Sequence, residues 1–416
     1  MLNLFRLTLL ACVCLGCLRC AQDPLSPPSR IPRELTASEK RLIEADNTFG
    51  FKLFRQITEG VRDENVFISP LSIAMALGMT YNGADGTTRE AMQSTLELSG
   101  LSPEEVNESY QSVMVLLGGL DPKVRFDIAN SIWYRQGFPV KEEFVNLNNE
   151  YFNAVVSALD FGDPNASKTI NAWVGENTNG RITEIVPDAI DPLTVMFLIN
   201  AIYFKGTWTY EFDRDVTEDD WFTLPNGSNV RCKMMMQEGN FQYFDNADFQ
   251  VIDLPYGDGD FSMTVFLPRP GKDISSFIGQ FDQDNWDIWI REFSKQPGTV
   301  QFPKYTLTYE AQLNEILTAL GMGAAFDPSE ADFGKMYDEG KVSENVYISQ
   351  VKHKTFIKVD EEGTEAAAVT SVEMGSTSVG PSGFFMRVDR PFVFVIREDH
   401  SQAILFMGKI IEPVLE

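Results

Sequence analysis

One segment of the chain differs from the rest in composition: residues 359–383, with the sequence VDEEGTEAAAVTSVEMGSTSVGPSG. The segment is long, its ends are polar, and it lacks a stripe of apolar residues at helical spacing. The acids that follow Gly363 are Glu365 and Glu373, both at odd-numbered positions. The even-numbered positions are uncharged and mostly small: Thr364, Ala366, Ala368, Thr370, Val372, Met374 and Ser376. Read with a period of two, the segment fits a β-strand with one face that a sheet can bury.

Three structures are compatible with this residue pattern. The content of Gly, Ser and Thr is typical of an exposed linker. The alanines at 366–368 also suit a short helix around residues 365–369. The third interpretation is a bait loop that enters a sheet as an additional strand after a protease cuts it. The residues of the segment alone do not choose between the three.

The regions before and after this segment predict a mixed fold. Residues 44–57 have apolar side chains at helical spacing, and Ser69 followed by Pro70 predicts the start of a helix that runs to Tyr81. Apolar or alternating runs later in the chain predict strands at 197–204, 261–267, 392–396 and 404–411, and helical segments such as 311–320 interrupt them. Because helices come first and βαβ regularity is missing, we predict a single α+β domain.

The charge of the chain disfavours several classes of partner. Its 416 residues include 34 Lys plus Arg and 60 Asp plus Glu, which gives a net charge of −26. No basic stripe is present that would neutralise phosphates, so we expect no nucleic-acid partner. The same balance disfavours anionic lipid surfaces. With 44% hydrophobic residues, the composition is that of a globular protein.

The first 36 residues predict export followed by a tether. Residues 1–20 combine an early cation, Arg6, with an apolar run that is short for a membrane span, so we predict a signal peptide and secretion. Leu15-Gly16-Cys17 partly resembles a lipoprotein cleavage box, and a membrane lipoprotein attached through Cys17 is the alternative. Residues 21–36 contain four prolines and predict a tether. Beyond residue 20 the single cysteine is Cys232, which excludes an internal disulfide there.

Motifs of catalysis and of metal binding are missing from the sequence. The two histidines, His353 and His400, form no His-Glu-x-x-His pair. No Gly-x-Ser-x-Gly motif and no phosphate-binding glycine loop occurs. We therefore predict that the protein is not an enzyme and that it needs no metal and no other cofactor.

The beginning of the distinctive segment resembles a known motif. Glu361-Glu362-Gly363-Thr364-Glu365-Ala366-Ala367-Ala368 is similar to the hinge of the serpin family of protease inhibitors. Further stretches resemble serpin segments in the order of that family: NVFISPLSI at 65–73, NAIYFKGTW at 200–208, LPY at 254–256, FSM at 261–263, FPK at 302–304, RPFVF at 390–394 and LFMG at 405–408. A set of this kind is specific, and it covers about residues 37 to 413.

The resemblance implies a serpin fold with three β-sheets, eight or nine helices and an exposed reactive-centre loop at about residues 361–386. It implies a single serpin domain over residues 37–416. It also implies a suicide substrate: a serine protease attacks the loop, forms a covalent acyl intermediate and is trapped when the loop inserts into the central sheet. Counting sixteen positions from Glu361 places the cleaved bond at Thr377–Ser378. The native state is then expected to be metastable.

The hinge residues favour an inhibitor, because Thr364, Ala366 and Ala368 are small enough to enter a sheet. A non-inhibitory serpin that acts as a carrier or chaperone is the alternative. Thr377 implies a protease with a small specificity pocket, elastase-like or subtilisin-like. The sequence contains no basic helix of the kind that binds heparin in some serpins, so we expect no polyanion cofactor. We expect a monomer, with loop–sheet polymers as a possible further state.

The resemblance also assigns residues that control the opening of the central sheet. It implies a polar cluster beneath the sheet and a region where the loop first enters. The polar cluster consists of Ser69, Ser72, Asn200 and His353, and the entry region consists of Trp208 and an ion pair between Lys304 and Glu361. From its residue type alone, Trp208 is equally well explained as a core side chain.

Overall fold

The computed structural model describes residues 33–343, 345–365 and 383–415. The predicted signal peptide and the predicted reactive bond Thr377–Ser378 therefore lie outside the described residues. The same holds for Ala366, Ala367 and Ala368 of the predicted hinge. One compact unit spans Glu34–Glu416.

Five of the nine α-helices in the described residues begin at a side-chain cap that the sequence provides. Thr36 and Glu39 form a capping box at the start of the first helix. The hydroxyl of Ser69 accepts a hydrogen bond from the backbone N–H of Ser72, and Pro70 occupies the first helical position, as predicted. The α-helices of the described residues are α1 (Ala37–Gly60), α2 (Pro70–Tyr81), α3 (Gly86–Thr95), α4 (Pro103–Leu117), α5 (Glu142–Phe152), α6 (Ala166–Asn177), α7 (Ile274–Ile278), α8 (Gln283–Arg291) and α9 (Asn314–Leu317).

The four strand predictions are confirmed as β4, β8, β14 and β15. The helix predicted at 311–320 is wrong at its start, because residues 311 and 312 end a strand that pairs with β11. The strands are β1 (Val66–Ile68), β2 (Val124–Arg135), β3 (Val155–Leu159), β4 (Met196–Thr207), β5 (Glu218–Thr223), β6 (Asn229–Asp245), β7 (Phe249–Tyr256), β8 (Phe261–Pro268), β9 (Ser294–Pro303), β10 (Tyr305–Gln312), β11 (Lys352–Val359), β12 (Gly363–Thr364), β13 (Phe384–Arg387), β14 (Phe392–Glu398) and β15 (Ile404–Ile410).

The strands form two hydrogen-bonded networks. The central sheet has the order β10-β11-β12-β4-β2-β3. The second network has the order β1-β15-β14-β8-β7-β6-β9-β13, with β5 also paired to β6. The two smaller sheets of the predicted fold are continuous here, because the long strand β6 pairs with β5 in its first part, with β9 along residues 234–243 and with β7 at its end. The predicted α+β class is confirmed.

Helix α2 lies between the two networks and positions the polar residues of the site. It contacts both β4 of the central sheet and β15 of the second network. Consequently nearly all of its side chains are buried, on every face of the helix. Polar side chains at its start, Ser69 and Ser72, are therefore held beneath the central sheet. Among the described residues, no helix combines the length and the apolar character that crossing a membrane needs.

Candidate functional site: the hinge segment in the central sheet

The first residues of the predicted hinge are already part of the central sheet. Strand β12 pairs with β4 through Gly363 opposite Thr207 and Thr364 opposite Gly206, and with β11 through Thr364 opposite Val359. Gly363 has a φ of 154°, and a Cβ added there would lie 2.1 Å from the carbonyl oxygen of Gly206. Only glycine fits so close to the neighbouring strand. We call residues 360–365 the hinge segment.

Beyond β12, the two strands that flank it are not joined by a ladder of their own among the described strands. A gap of about 20 Å³ lies there, lined from β4 by Tyr203, from β11 by Phe356, and from the hinge segment by Glu365. The turn after α6 covers this gap with Thr178 and Arg181. A strand that continued from β12 would run into this gap.

Aromatic side chains hold Thr364 from the inner side of the sheet. Its hydroxyl lies 2.5 Å from the hydroxyl of Tyr256, and burial raises the pKa of this tyrosine above its usual range. Trp208 stacks on Tyr256 with ring centroids 4.5 Å apart. The indole N–H of Trp208 donates to the carbonyl of Asp360 at 3.0 Å. The tryptophan is therefore a buried side chain that contacts the hinge segment directly.

The hinge segment carries four acids that are only 5–7% exposed, and each of them has a basic partner. Lys304 lies 2.6 Å from the carboxylate of Glu361, and the lysine is 23% exposed, so the predicted pair is largely buried. Burial acts to raise the pKa of Glu361, but hydrogen bonds, the one from Lys304 foremost, hold that pKa below its usual value. The remaining pairs are Asp360 with Lys358, Glu362 with Arg214, and Glu365 with Arg181.

Sequence reasoning did not find Arg181 and Arg214. Arg181 is 184 residues from Glu365 along the chain, and its surroundings carry no motif. The only available signal was the density of acids in residues 360–365. Buried carboxylates need cations, so this density predicts basic partners but not their identity.

The predicted sheet-opening residues lie together further along β4 and β11, beneath the central sheet. His353 Nε2 accepts a hydrogen bond from the backbone N–H of Ser69 at 3.0 Å. The hydroxyl of Ser72 donates to Asn200 Oδ1 at 2.5 Å, and Asn200 Nδ2 donates to Asn130 Oδ1 at 2.7 Å. These bonds connect β11, α2, β4 and β2 in one chain. We call Ser69, Ser72, Asn130, Asn200 and His353 the polar cluster.

The polar cluster is neutral, and four of its five side chains are buried, with Asn200 half-buried. Burial lowers the pKa of His353 to about 3, so the imidazole is uncharged over the physiological range. An uncharged Nε2 has a lone pair to accept the hydrogen bond from Ser69, and a protonated one has none. Asn130, which sequence reasoning did not include, also donates to the carbonyl of Phe152 at 2.7 Å. The cluster therefore connects β4 and β11 to α2 through hydrogen bonds between uncharged groups, without an ion pair.

Comparisons with known proteins assign the chain to a family. The family model Serpin (serine protease inhibitor) matches residues 44–413. Human Serpin B8 is 34% identical over 379 residues, which cover 89% of this chain and 99% of that protein. The crystal structure of tengpin, a thermophilic serpin in its native state, has a TM-score of 0.81 at 32% identity and covers 91% of this chain and 95% of its own. The chain belongs to the serpin family.

The family defines the general class of activity. Serpins generally inhibit serine proteases and are not catalysts, and some members are not inhibitors. Human thyroxine-binding globulin complexed with its ligand has a TM-score of 0.81 at 26% identity, with coverage of 91% of this chain and 100% of that one. The family includes secreted members and intracellular members. The predicted family and fold are thus confirmed.

Proposed function

We propose that the protein is a secreted inhibitor of serine proteases that acts as a suicide substrate. A target protease attacks the bond Thr377–Ser378 and forms an acyl ester with Thr377. The released loop then inserts between β4 and β11 as a further strand and carries the protease with it. Trapping follows, because misplacing catalytic groups by about 1 Å costs about 10²-fold in rate. The protein acts as a monomer, without a polyanion cofactor.

The observation that carries this proposal is the position of the hinge segment. Gly363 and Thr364 of the future strand already pair with β4, Thr364 also pairs with β11, and an unfilled gap lies directly beyond them. Thr364 contacts Tyr256 on the inner side of the sheet, which supports insertion with the small uncharged face buried, and the backbone leaves the sheet at Glu365.

The energy of insertion is large enough to drive such a mechanism. About a dozen new ladder hydrogen bonds at about 1 kcal/mol net each contribute roughly 10 kcal/mol. This is comparable to the whole stability of an ordinary domain, about 5–15 kcal/mol. The uncut protein is then metastable, and its lifetime depends on the barrier to opening the sheet.

The target protease is expected to have a small specificity pocket. Thr377 is short and uncharged, which suits elastase-like or subtilisin-like enzymes and disfavours trypsin-like enzymes that require Lys or Arg. Secretion rests on the apolar run in residues 1–20, with a membrane lipoprotein attached through Cys17 as the alternative.

The test is incubation of the full chain with pancreatic elastase and with subtilisin. We expect an adduct that survives boiling in SDS and a released C-terminal peptide that begins at Ser378. The cut protein should also unfold at a higher temperature than the uncut protein. Complete cleavage without an adduct and without a gain in heat resistance would refute insertion and favour the carrier function.

A further inference from the structure

Glu365 occupies a special position in the hinge segment. It is the first residue after β12, and its backbone leaves the sheet with a φ of 56°, in the left-handed region. Its N–H still donates to the carbonyl of Lys358 at 2.8 Å. Its carboxylate, with the side chain only 5% exposed, faces the gap between β4 and β11. A carboxylate in such a place needs a partner, because a buried unpaired charge is strongly unfavourable.

Arg181 provides that partner and contacts β11, while its turn is attached to β4. Its Nε donates to Glu365, and its guanidinium stacks on the ring of Phe356 of β11 at 4.9 Å. The turn that carries Arg181 is fixed to β4, because Asn179 donates to the hydroxyl of Tyr203 at 3.2 Å. The N–H of Arg181 also donates to the carbonyl of Thr178 at 2.9 Å, which ties the turn to the end of α6.

The other three ion pairs of the hinge segment act before β12. Asp360, Glu361 and Glu362 precede it, and their carbonyls also accept hydrogen bonds from Trp208 and Phe212. Residues 360–362 are thus held by several contacts of different kinds. The side chain of Glu365 faces the gap on the far side of β12, and its ion pair with Arg181 is the charged contact there.

We infer that Arg181 is the positioning residue that keeps β12 paired in the resting protein, and thereby sets the start from which the loop inserts. The effect on inhibition rests on the proposed function, whereas the effect on β12 does not. Without Arg181, the carboxylate of Glu365 would be buried and unpaired. It therefore moves into solvent, and Thr364 loses its pairing in β12 with it. The loop must then form β12 again before insertion proceeds, so a larger share of cleavage events ends in release of the protease.

The two partners of this ion pair are not equivalent, and this asymmetry gives the inference a sharp test. Arg181 is 42% exposed, whereas Glu365 is 5% exposed. Removing Glu365 leaves an arginine that is already partly hydrated, at little cost. Removing Arg181 leaves a buried charge. Loss of Arg181 should therefore release β12, whereas loss of Glu365 should leave it nearly unchanged, and the double substitution should behave like the loss of Glu365.

The experiment is amide hydrogen exchange of the uncut protein without a protease, followed on peptides that cover residues 360–365. We expect Arg181→Ala to speed exchange there by roughly tenfold or more, whereas Glu365→Ala and the double variant stay within about twofold of the wild type. Arg181→Lys should restore protection in part, because it keeps the charge but loses the forked donor geometry. Arg125→Ala is the matched control. Like Arg181, Arg125 stacks on an aromatic ring, here that of Tyr203, but the acid with which it pairs is exposed.

Two results would overturn the inference: unchanged exchange in Arg181→Ala, or equally fast exchange in Glu365→Ala. Protection of β14 in the same samples separates local release from unfolding of the whole protein. Moles of inhibitor consumed per mole of protease should rise at least about twofold for Arg181→Ala and stay constant for Arg125→Ala. If neither the wild type nor any variant forms an adduct, the proposed function fails, but the exchange result still decides the role of Arg181.

Discussion

The central sheet is held together at two levels along β4 and β11, by different physical means. At the upper level, the hinge segment is fixed by four ion pairs, and several of their cations are partly exposed. At the lower level, the polar cluster contains neutral side chains joined by hydrogen bonds, with His353 and Ser69 at 6% and 1% exposure. Ion pairs near the surface respond to salt, whereas buried neutral hydrogen bonds do not.

The two levels also bind different parts of the molecule. The upper level binds residues of the loop itself to the strands, so it decides how insertion begins. The lower level binds the two strands to α2 and contains no loop residue, so it decides how strongly the sheet resists opening. Substitutions at the upper level should therefore change the outcome of the protease reaction, and those at the lower level should change stability.

The largest effect is expected for Thr364→Arg. Thr364 is 3% exposed and contacts Tyr256, so an arginine there would bury an unpaired charge in the sheet. Insertion should stop, and the variant should be cleaved as a substrate with at least about a tenfold rise in inhibitor consumed per protease. The measurement is SDS gel analysis of the adduct with elastase. Thr87→Arg, at an exposed position of α3, is the control, and an undiminished adduct in Thr364→Arg would contradict the assignment of the hinge.

The next largest effect is a loss of stability in acid that depends on His353. The folded protein lowers the pKa of this histidine to about 3 by burial, so the unfolded chain binds a proton that the folded chain excludes. The free energy of unfolding should therefore fall as the pH falls from about 6.5 towards 3, by up to roughly 4–5 kcal/mol. Urea unfolding at pH 7 and pH 4 should show a smaller difference for His353→Gln than for wild type. His400→Gln controls for the substitution. An equal loss of unfolding free energy between pH 7 and pH 4 in His353→Gln and wild type would show that His353 is not the source of the acid sensitivity.

A smaller loss is expected for Asn200→Ala in the polar cluster. The substitution leaves the hydroxyl of Ser72 and the amide of Asn130 without their partner in a buried place. We expect a decrease of about 2–3 kcal/mol in the free energy of unfolding, because unsatisfied buried groups carry their full desolvation cost. The decrease should be the same in 0.05 M and 0.5 M salt. Asn240→Ala, at an exposed position of β6, should change stability by less than about 0.5 kcal/mol.

The smallest effect is expected for Lys304→Ala at the upper level. The variant leaves Glu361 without its lysine, although other hydrogen bonds to this carboxylate remain. We expect a loss of about 1 kcal/mol at low salt, and less at high salt as screening weakens the pair. Lys341→Ala, which removes an exposed pair with Asp338, should have almost no effect. If the loss for Lys304→Ala did not depend on salt, while that for Asn200→Ala did, the distinction between the two levels would be wrong.

The sequence predicted most of the elements that build the site. The start of α2 follows from Ser69 and Pro70, because capping depends on neighbouring residues only. The period of two in residues 364–376 likewise predicts which side chains face into a sheet. The helix predicted at 311–320 was wrong at its start, because pairing with β11 outweighs the helical preference of residues 311 and 312.

The sequence by itself determined the α+β class, the family and the uncharged face of the hinge, because all of these follow from local residue patterns and motifs. Only the tertiary structure decided that Arg181 and Arg214 neutralise Glu365 and Glu362, and that Asn130 extends the polar cluster. The physical reason is distance along the chain. A buried charge or amide requires a partner, but strand order and register choose which of many distant side chains supplies it.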